Sequence, residues 1–207
     1  MLGLSKAELS IFKRLNTPIK IQDYLDALAI NWEKDGDFNM SPRGVIKAQK
    51  AHCFEGALFA AVALWINGEQ PLVLDLKVPS DVGHVVTLYK RNGYWGAISK
   101  TNHLALRFRD PVYKTIRELV MSYFHECFND KNGKKDLRGY AGPINVKKFG
   151  TAWITSNDDL YDIAEKMYDM KMISLFPKKN EQLLRKADAM EMKLGTIIEW
   201  DKSDPRT

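Results

Sequence analysis

An uninterrupted apolar run, residues 56–66 (GALFAAVALWI), constrains this chain more than any other feature. A bilayer span takes about 20 apolar residues, so the run is too short to cross a membrane. A helix that is apolar on every side must be buried on every side. The run therefore predicts a buried core helix with no role in a membrane.

A chain of 207 residues is long enough to bury such a helix. Folding at this size removes roughly 70% of the accessible surface. The composition, 45% hydrophobic and 28% charged, excludes collagen-like and wholly disordered chains. The net charge of +5 permits an anionic partner without requiring one. We predict one domain over residues 1–207, and no nucleic-acid binding as its main function because no nucleic-acid motif accompanies the basic clusters.

Cysteine and histidine usage indicates a reduced protein without a metal. Cys53 and Cys127 are the two cysteines, too few for a disulfide scaffold, and the N-terminus lacks the pattern of a secretory signal. Both observations favour the cytoplasm. The four histidines and two cysteines lack the spacing of a zinc site, and no oxygen-rich calcium loop is present. We expect no cofactor.

The order of the elements predicts an α+β fold. Residues 1–39 contain amphipathic helices and a loop at 35–37, and residues 40–110 form a core with the apolar helix. Branched and aromatic residues then mark three strand candidates at 71–78, 84–90 and 94–99. Helical periodicity returns in a C-terminal part, residues 111–207. Helices grouped around consecutive strands predict an antiparallel sheet rather than a doubly wound α/β fold.

Asn92-Gly93 separates the second and third strand candidates and is a strong hairpin signal. A two-residue loop there pairs Val86 with Ser99. Because side chains alternate along a strand, His84 and Ser99 then lie on the same face of the sheet.

Cys53 stands where a loop turns into the apolar helix, near the positive end of the helix dipole. Lys47, Lys50 and His52 add positive charge just before it, a setting that favours the thiolate. A single cysteine is more often a buried structural residue. His84, at the start of a strand, makes catalysis the stronger interpretation. Cys127 is expected to be silent, since the periodicity of the C-terminal part places it in a helix without a comparable partner.

These segments resemble a known fold. The sequence CFEGALF from Cys53, followed by His84 at a strand start and by a second strand that begins near Trp95, resembles the transglutaminase-like branch of the papain-like cysteine fold over roughly positions 40–105. More narrowly, the sequences HVVTLY from His84, WGAISKTNH from Trp95 and RDPVY from Arg109 are similar to a bacterial group of transglutaminase-like proteins of unassigned activity. The resemblance implies a Cys-bearing helix packed on an antiparallel sheet, with Cys53 as nucleophile and His84 as base.

One position departs from the family pattern. The family usually has an aspartate four residues after the tryptophan, and this chain has Ser99 there. A hydroxyl accepts a hydrogen bond from the imidazole but supplies no negative charge. Asn102 is a second candidate to orient the base, although an unbroken strand points it away from His84. Asp110 is a third and more remote candidate.

The resemblance implies nucleophilic catalysis at an amide or ester carbonyl through a thioacyl intermediate, which passes to water or to an amine. The backbone N–H of Cys53 is the expected oxyanion donor, and Gln49 is a candidate for the second. A thiolate–imidazolium pair between Cys53 and His84 is a further hypothesis. The expected substrate is a peptide or protein amide. The alternative is an inactive transglutaminase-like domain that serves as a binding or scaffold module.

Overall fold

The computed structural model describes residues 2–32, 38–79 and 83–199. The loop predicted at 35–37 lies outside the described residues. The α-helices are α1 (Lys6–Arg14), α2 (Pro18–Ala27), α3 (Pro42–Ala48), α4 (Cys53–Ile66), α5 (Ile116–Met121), α6 (Tyr161–Tyr168) and α7 (Ala189–Gly195). The strands are β1 (Ala29–Ile30), β2 (Lys50–Ala51), β3 (Leu72–Lys77), β4 (His84–Arg91), β5 (Tyr94–Ile98), β6 (Arg109–Tyr113), β7 (Gly139–Asn145) and β8 (Ile173–Ser174). Short 3-10 turns lie at Val146–Phe149, Ala152–Thr155 and Lys178–Leu183.

Helix α4 is the helix that the apolar run predicts. Its residues 54–64 are all buried. Helices α1, α2 and α3 pack against it, and β4 covers another side. The Thr87 hydroxyl of β4 donates to the Ala57 carbonyl at 2.6 Å, which ties the helix to the sheet. No helix of the described residues is long and apolar enough to cross a bilayer, and α4 itself has 14 residues.

The described strands form an antiparallel sheet in the order β6-β5-β4-β3-β7-β8, beside a small parallel pair of β1 and β2. The α+β class is confirmed. The β4–β5 hairpin has the predicted register, with pairs from Arg91–Tyr94 to Thr87–Ile98. Asn92 and Gly93 have φ of 49° and 86°, as a two-residue turn of this hand requires.

The sheet separates two apolar cores. The core around α4 includes Val85 and Tyr89 of β4, whereas the core around α5 includes Val86 and Leu88. This alternation follows from the two-residue period of a strand. His84 precedes Val86 by two residues on the same strand, so its side chain also lies on the α5 side of the sheet.

The C-terminal part differs from the helical prediction. Residues 139–145 form β7, which pairs with β3 inside the sheet. Helix α5 ends at Met121, and Cys127 lies in the loop that follows. The hydrogen bonds that make β7 a strand come from β3, more than sixty positions earlier. Local periodicity carries no information about a partner so distant in sequence.

Candidate functional site

Cys53 is the first residue of α4 and is partly exposed. It lies on the wall of a cleft of about 260 Å³. The other residues that line this cleft are Ile30, Asn31, Trp32, His52, Gly83, His84, Lys100, Thr101, Asn102, His103 and Leu106. The structure thus places the predicted nucleophile and the predicted base on the same cleft.

Buried polar contacts fix the start of α4. His52 is the N-cap residue, and its Nδ1 accepts the backbone N–H of Phe54 at 3.2 Å. The fully buried Glu55 accepts the backbone N–H groups of His52 at 2.8 Å and Met40 at 2.9 Å. It also accepts the Asn31 amide at 3.2 Å. The Glu55 carboxylate thus joins three segments around the cysteine.

Gly56 allows α4 to approach the residues that follow β5. A Cβ at this position would collide with the Cβ of Lys100. The buried Lys100 ammonium donates to the carbonyls of Leu25 at 2.8 Å and Leu28 at 2.6 Å, at the end of α2. Burial lowers the pKa of Lys100, while Glu199 and Asp26 act in the opposite direction.

His84 contacts Ser99 directly. The Nε2 atom of His84 lies 2.8 Å from the Ser99 hydroxyl, which also lies 2.5 Å from the Leu106 carbonyl. A carbonyl can only accept, so the Ser99 proton goes to Leu106 and Nε2 donates to Ser99. Nδ1 is then the proton acceptor of the ring. Gln22 holds the Ser99 backbone through two hydrogen bonds of 2.8 and 2.9 Å.

Burial governs the charge of His84. It lowers the pKa of the imidazole to about 3, and the neighbouring His103 acts in the same direction, against a hydrogen bond with the Leu106 backbone. Protonating this ring costs roughly 5 kcal/mol more than protonating a free imidazole. His84 is therefore neutral near pH 7. The hypothesis of a resting thiolate–imidazolium pair stays a prediction, and the lowered pKa of His84 weighs against it, because Ser99 supplies no negative charge to offset the burial.

A second space lies beyond His84. It is a cavity of about 180 Å³ on the α5 side, and Cys127 is one of its lining residues. Gly83, His84, His103 and Leu106 line both this cavity and the cleft. The other residues that line the cavity are Leu76, Val78, Leu104, Ala105, Glu126, Phe128, Asn129, Asp130, Asp136, Leu194, Gly195 and Ile197.

The predicted location of Cys127 is wrong. This cysteine was expected in a helix without a comparable partner, but it lies in a loop and lines a space with two histidines. The physical reason is the early end of α5 at Met121, followed by turns that bring the loop against the sheet.

Sequence reasoning missed His103. The residue appeared only as the last letter of the WGAISKTNH segment. In the structure it lies just past β5, half-buried, with its backbone N–H donated to the Thr101 hydroxyl at 3.0 Å. Its position four residues beyond a candidate strand end was the available signal, since catalytic side chains often occupy loops held by a rigid sheet.

The remaining candidates contact groups other than the imidazoles or lie elsewhere in the fold. Asn102 lines the cleft, but its amide donates to the Glu199 carbonyl at 3.4 Å. The Gln49 amide donates to the Ile46 carbonyl at 2.7 Å, and Gln49 is not among the described residues of the cleft. Asp110 is exposed on β6, at the edge of the sheet.

A comparison with protein-family models finds no match for this chain, and a search of curated proteins finds no significant relative. The site itself is therefore the basis for a function. Its main elements are Cys53 at a helix start, His84 bonded to Ser99, and His103 on the same cleft.

Proposed function

We propose that this protein is a cysteine-nucleophile enzyme of the transglutaminase-like type that acts on amide or ester carbonyls. The observation that carries the proposal is that Cys53, the first residue of the buried helix α4, shares one cleft with His84 and His103. A nucleophile at a helix start that shares a cleft with an imidazole supports acyl transfer, in which an adjacent base activates the thiol.

In the proposed reaction, the Cys53 sulfur forms a bond to the carbonyl carbon while an imidazole takes the thiol proton. The carbonyl oxygen then carries the negative charge, close to the backbone N–H of Cys53 at the start of α4; the Phe54 N–H of the same turn is already donated to His52. The imidazole returns its proton to the departing amine or alcohol as the carbonyl–heteroatom bond breaks. Water or an amine then cleaves the thioester and restores the thiol.

The neutral ring of His84 suits a general base that is charged only during the reaction. Its Nδ1 accepts the proton, and Ser99 keeps the ring oriented through Nε2. Burial makes the resulting imidazolium costly, since the pKa of His84 is lowered to about 3. His103 is the other imidazole on the cleft and is less buried. We assign the base to His84 and treat His103 as its competitor.

A specific observation favours a second candidate function, a binding module without catalysis. The base is oriented by a serine hydroxyl rather than a carboxylate, and it lies in a fully buried position. Both features make the protonated form of His84 less stable. A domain that only binds a partner can keep this histidine buried and neutral, and it needs no reactive thiol.

The experiment that tests the proposal is acetylation by p-nitrophenyl acetate, followed by mass spectrometry of the intact protein and of its peptides. An enzyme of this type gives a burst of p-nitrophenolate and an acetyl group on Cys53. Cys127→Ala is the matched control and retains the adduct. An acetyl group on Cys127 alone, or acetylation no faster than in urea-unfolded protein, contradicts the proposal and supports the binding module.

A further inference from the structure

A segment of the chain close to its C-terminal end is paired with the loop that follows β5. The Leu104 N–H donates to the Ile197 carbonyl at 3.2 Å, and the Glu199 N–H donates to the Asn102 carbonyl at 2.8 Å. Between these bonds, His103 and Ile198 form an antiparallel bridge. Residues 197–199 thus behave as a short strand added to the edge formed by residues 102–104.

This added strand is weakly held. Ile197 is 57% exposed, and α7, which precedes the segment, has no buried residue. The ion pair between Arg107 and Glu199, at 3.0 Å, is open to solvent on both sides. Exposed pairs of this kind contribute about 0–1 kcal/mol. Exposed side chains and an ion pair open to solvent indicate a segment that opens at low free-energy cost.

The edge beneath the segment connects the two spaces around His84. Leu194, Gly195 and Ile197 line the cavity with Cys127, whereas Thr101, Asn102 and His103 line the cleft with Cys53. A chain that follows the direction of residues 194–199 runs from the cavity, past His103, toward the cleft. Its backbone needs only an extended conformation to make the two hydrogen bonds.

We infer that residues 102–104 are a binding edge for an extended polypeptide segment, and that residues 197–199 occupy this edge as an intramolecular competitor. Addition of a strand to an exposed edge is a general mode of peptide recognition, in which main-chain hydrogen bonds supply affinity. The inference deepens the proposed function, on which it rests for the fate of the bound peptide. The binding itself requires no thiol.

The test uses the full chain with a substitution that removes one main-chain donor. Glu199→Pro eliminates the N–H that bonds to Asn102, while Glu199→Ala keeps that N–H and removes the carboxylate that pairs with Arg107 and acts on Lys100. The probe is a fluorescein-labelled, C-terminally amidated peptide LGTIIE, the sequence of residues 194–199. A second peptide with N-methylglutamate in the last position lacks the corresponding donor.

We expect LGTIIE to bind Glu199→Pro at least about tenfold more tightly than wild type, because a tethered competitor acts at an effective concentration near the millimolar range. Glu199→Ala should stay within about twofold of wild type, and the N-methylated peptide should not bind. Hydrogen exchange at the Leu104 amide reports release of the segment and should accelerate in Glu199→Pro. Thermal melting checks that both variants are folded.

Three results overturn the inference: an unchanged Leu104 amide in Glu199→Pro, release without tighter peptide binding, or equal binding of the N-methylated peptide. The same measurements in a Cys53→Ala background separate this inference from the proposed function. If the peptide binds in the Cys53→Ala background and the wild type is never acetylated on Cys53, the binding edge is supported and the proposed enzyme is contradicted. Acetylation of Cys53 without peptide binding would do the reverse.

Discussion

The cleft that contains Cys53 and the cavity that contains Cys127 share two histidines, yet they surround their thiols very differently. Cys53 begins a helix of 14 residues whose first turn is held by Glu55. Cys127 lies in a loop, and its cavity has mainly apolar walls with the carboxyl groups of Glu126, Asp130 and Asp136.

Proximity to an imidazole does not by itself distinguish the proposed nucleophile, Cys53, from Cys127. Both thiols have His84 and His103 on the walls of their space. What distinguishes Cys53 is its position at a helix N-terminus, where backbone N–H groups stabilise negative charge on sulfur and on a developing oxyanion. Cys127 lies in a loop and has no such position.

The largest expected effect separates the two thiols. Cys53→Ala should lower the rate of p-nitrophenolate release by roughly 1,000-fold or more, because loss of the nucleophile removes the covalent pathway. Cys127→Ala should change the rate less than about twofold. The measurement is stopped-flow absorbance with matched protein concentrations. A large loss in Cys127→Ala with little change in Cys53→Ala would identify Cys127, in the cavity, as the reactive thiol.

The next effect separates the two histidines. His84→Gln should slow acetylation of Cys53 by roughly 100-fold, the usual contribution of a general base. His103→Gln should slow it less, and the rate should be followed from pH 4.5 to 8. A base with the lowered pKa of His84, about 3, gives no acid limb in that range. If the acetylation rate of wild type instead falls at low pH, and this fall is absent in His103→Gln, His103 is the general base.

A third prediction concerns folding stability and the burial of His84 between the two spaces. Its folded pKa of about 3 lies below the unfolded value of about 6.5, so the unfolded chain binds the proton first as the pH falls. The stabilisation is complete above pH 6.5 and is lost progressively toward pH 3. Between pH 7 and pH 5, the free energy of unfolding should fall by about 2 kcal/mol more in wild type than in His84→Gln.

Urea unfolding of both proteins at the two pH values provides the measurement. Other titrating groups, including Asp75, whose pKa burial raises, contribute equally to both proteins and cancel in the difference. Equal pH slopes would mean that solvent reaches the His84 ring from the cleft or the cavity.

The smallest effect tests the contact that orients His84. Ser99→Ala removes the hydroxyl at 2.8 Å from Nε2 and should slow acetylation by about tenfold. Asn102→Ala, whose amide instead contacts Glu199, should have little effect. The same stopped-flow assay serves, with a melting curve for each variant. A larger loss in Asn102→Ala would show that this residue, and not Ser99, acts on the base.

Local sequence determined several features that do not depend on distant contacts. The apolar run at 56–66 required a buried helix, since no face of it can be exposed to water. Asn92-Gly93 determined the turn, and strand alternation from that turn placed Ser99 on the same face as His84. Each of these follows from the conformational preferences of a few neighbouring residues.

Tertiary structure alone decided the rest. The neutral state of His84 arises from burial by several elements, and β7 exists because β3 pairs with it. Cys127 and His103 reach the same cavity because α5 ends early and the chain turns back against the sheet. A pKa and a strand pairing depend on what surrounds a residue in space, and residues far apart in the sequence supply those surroundings.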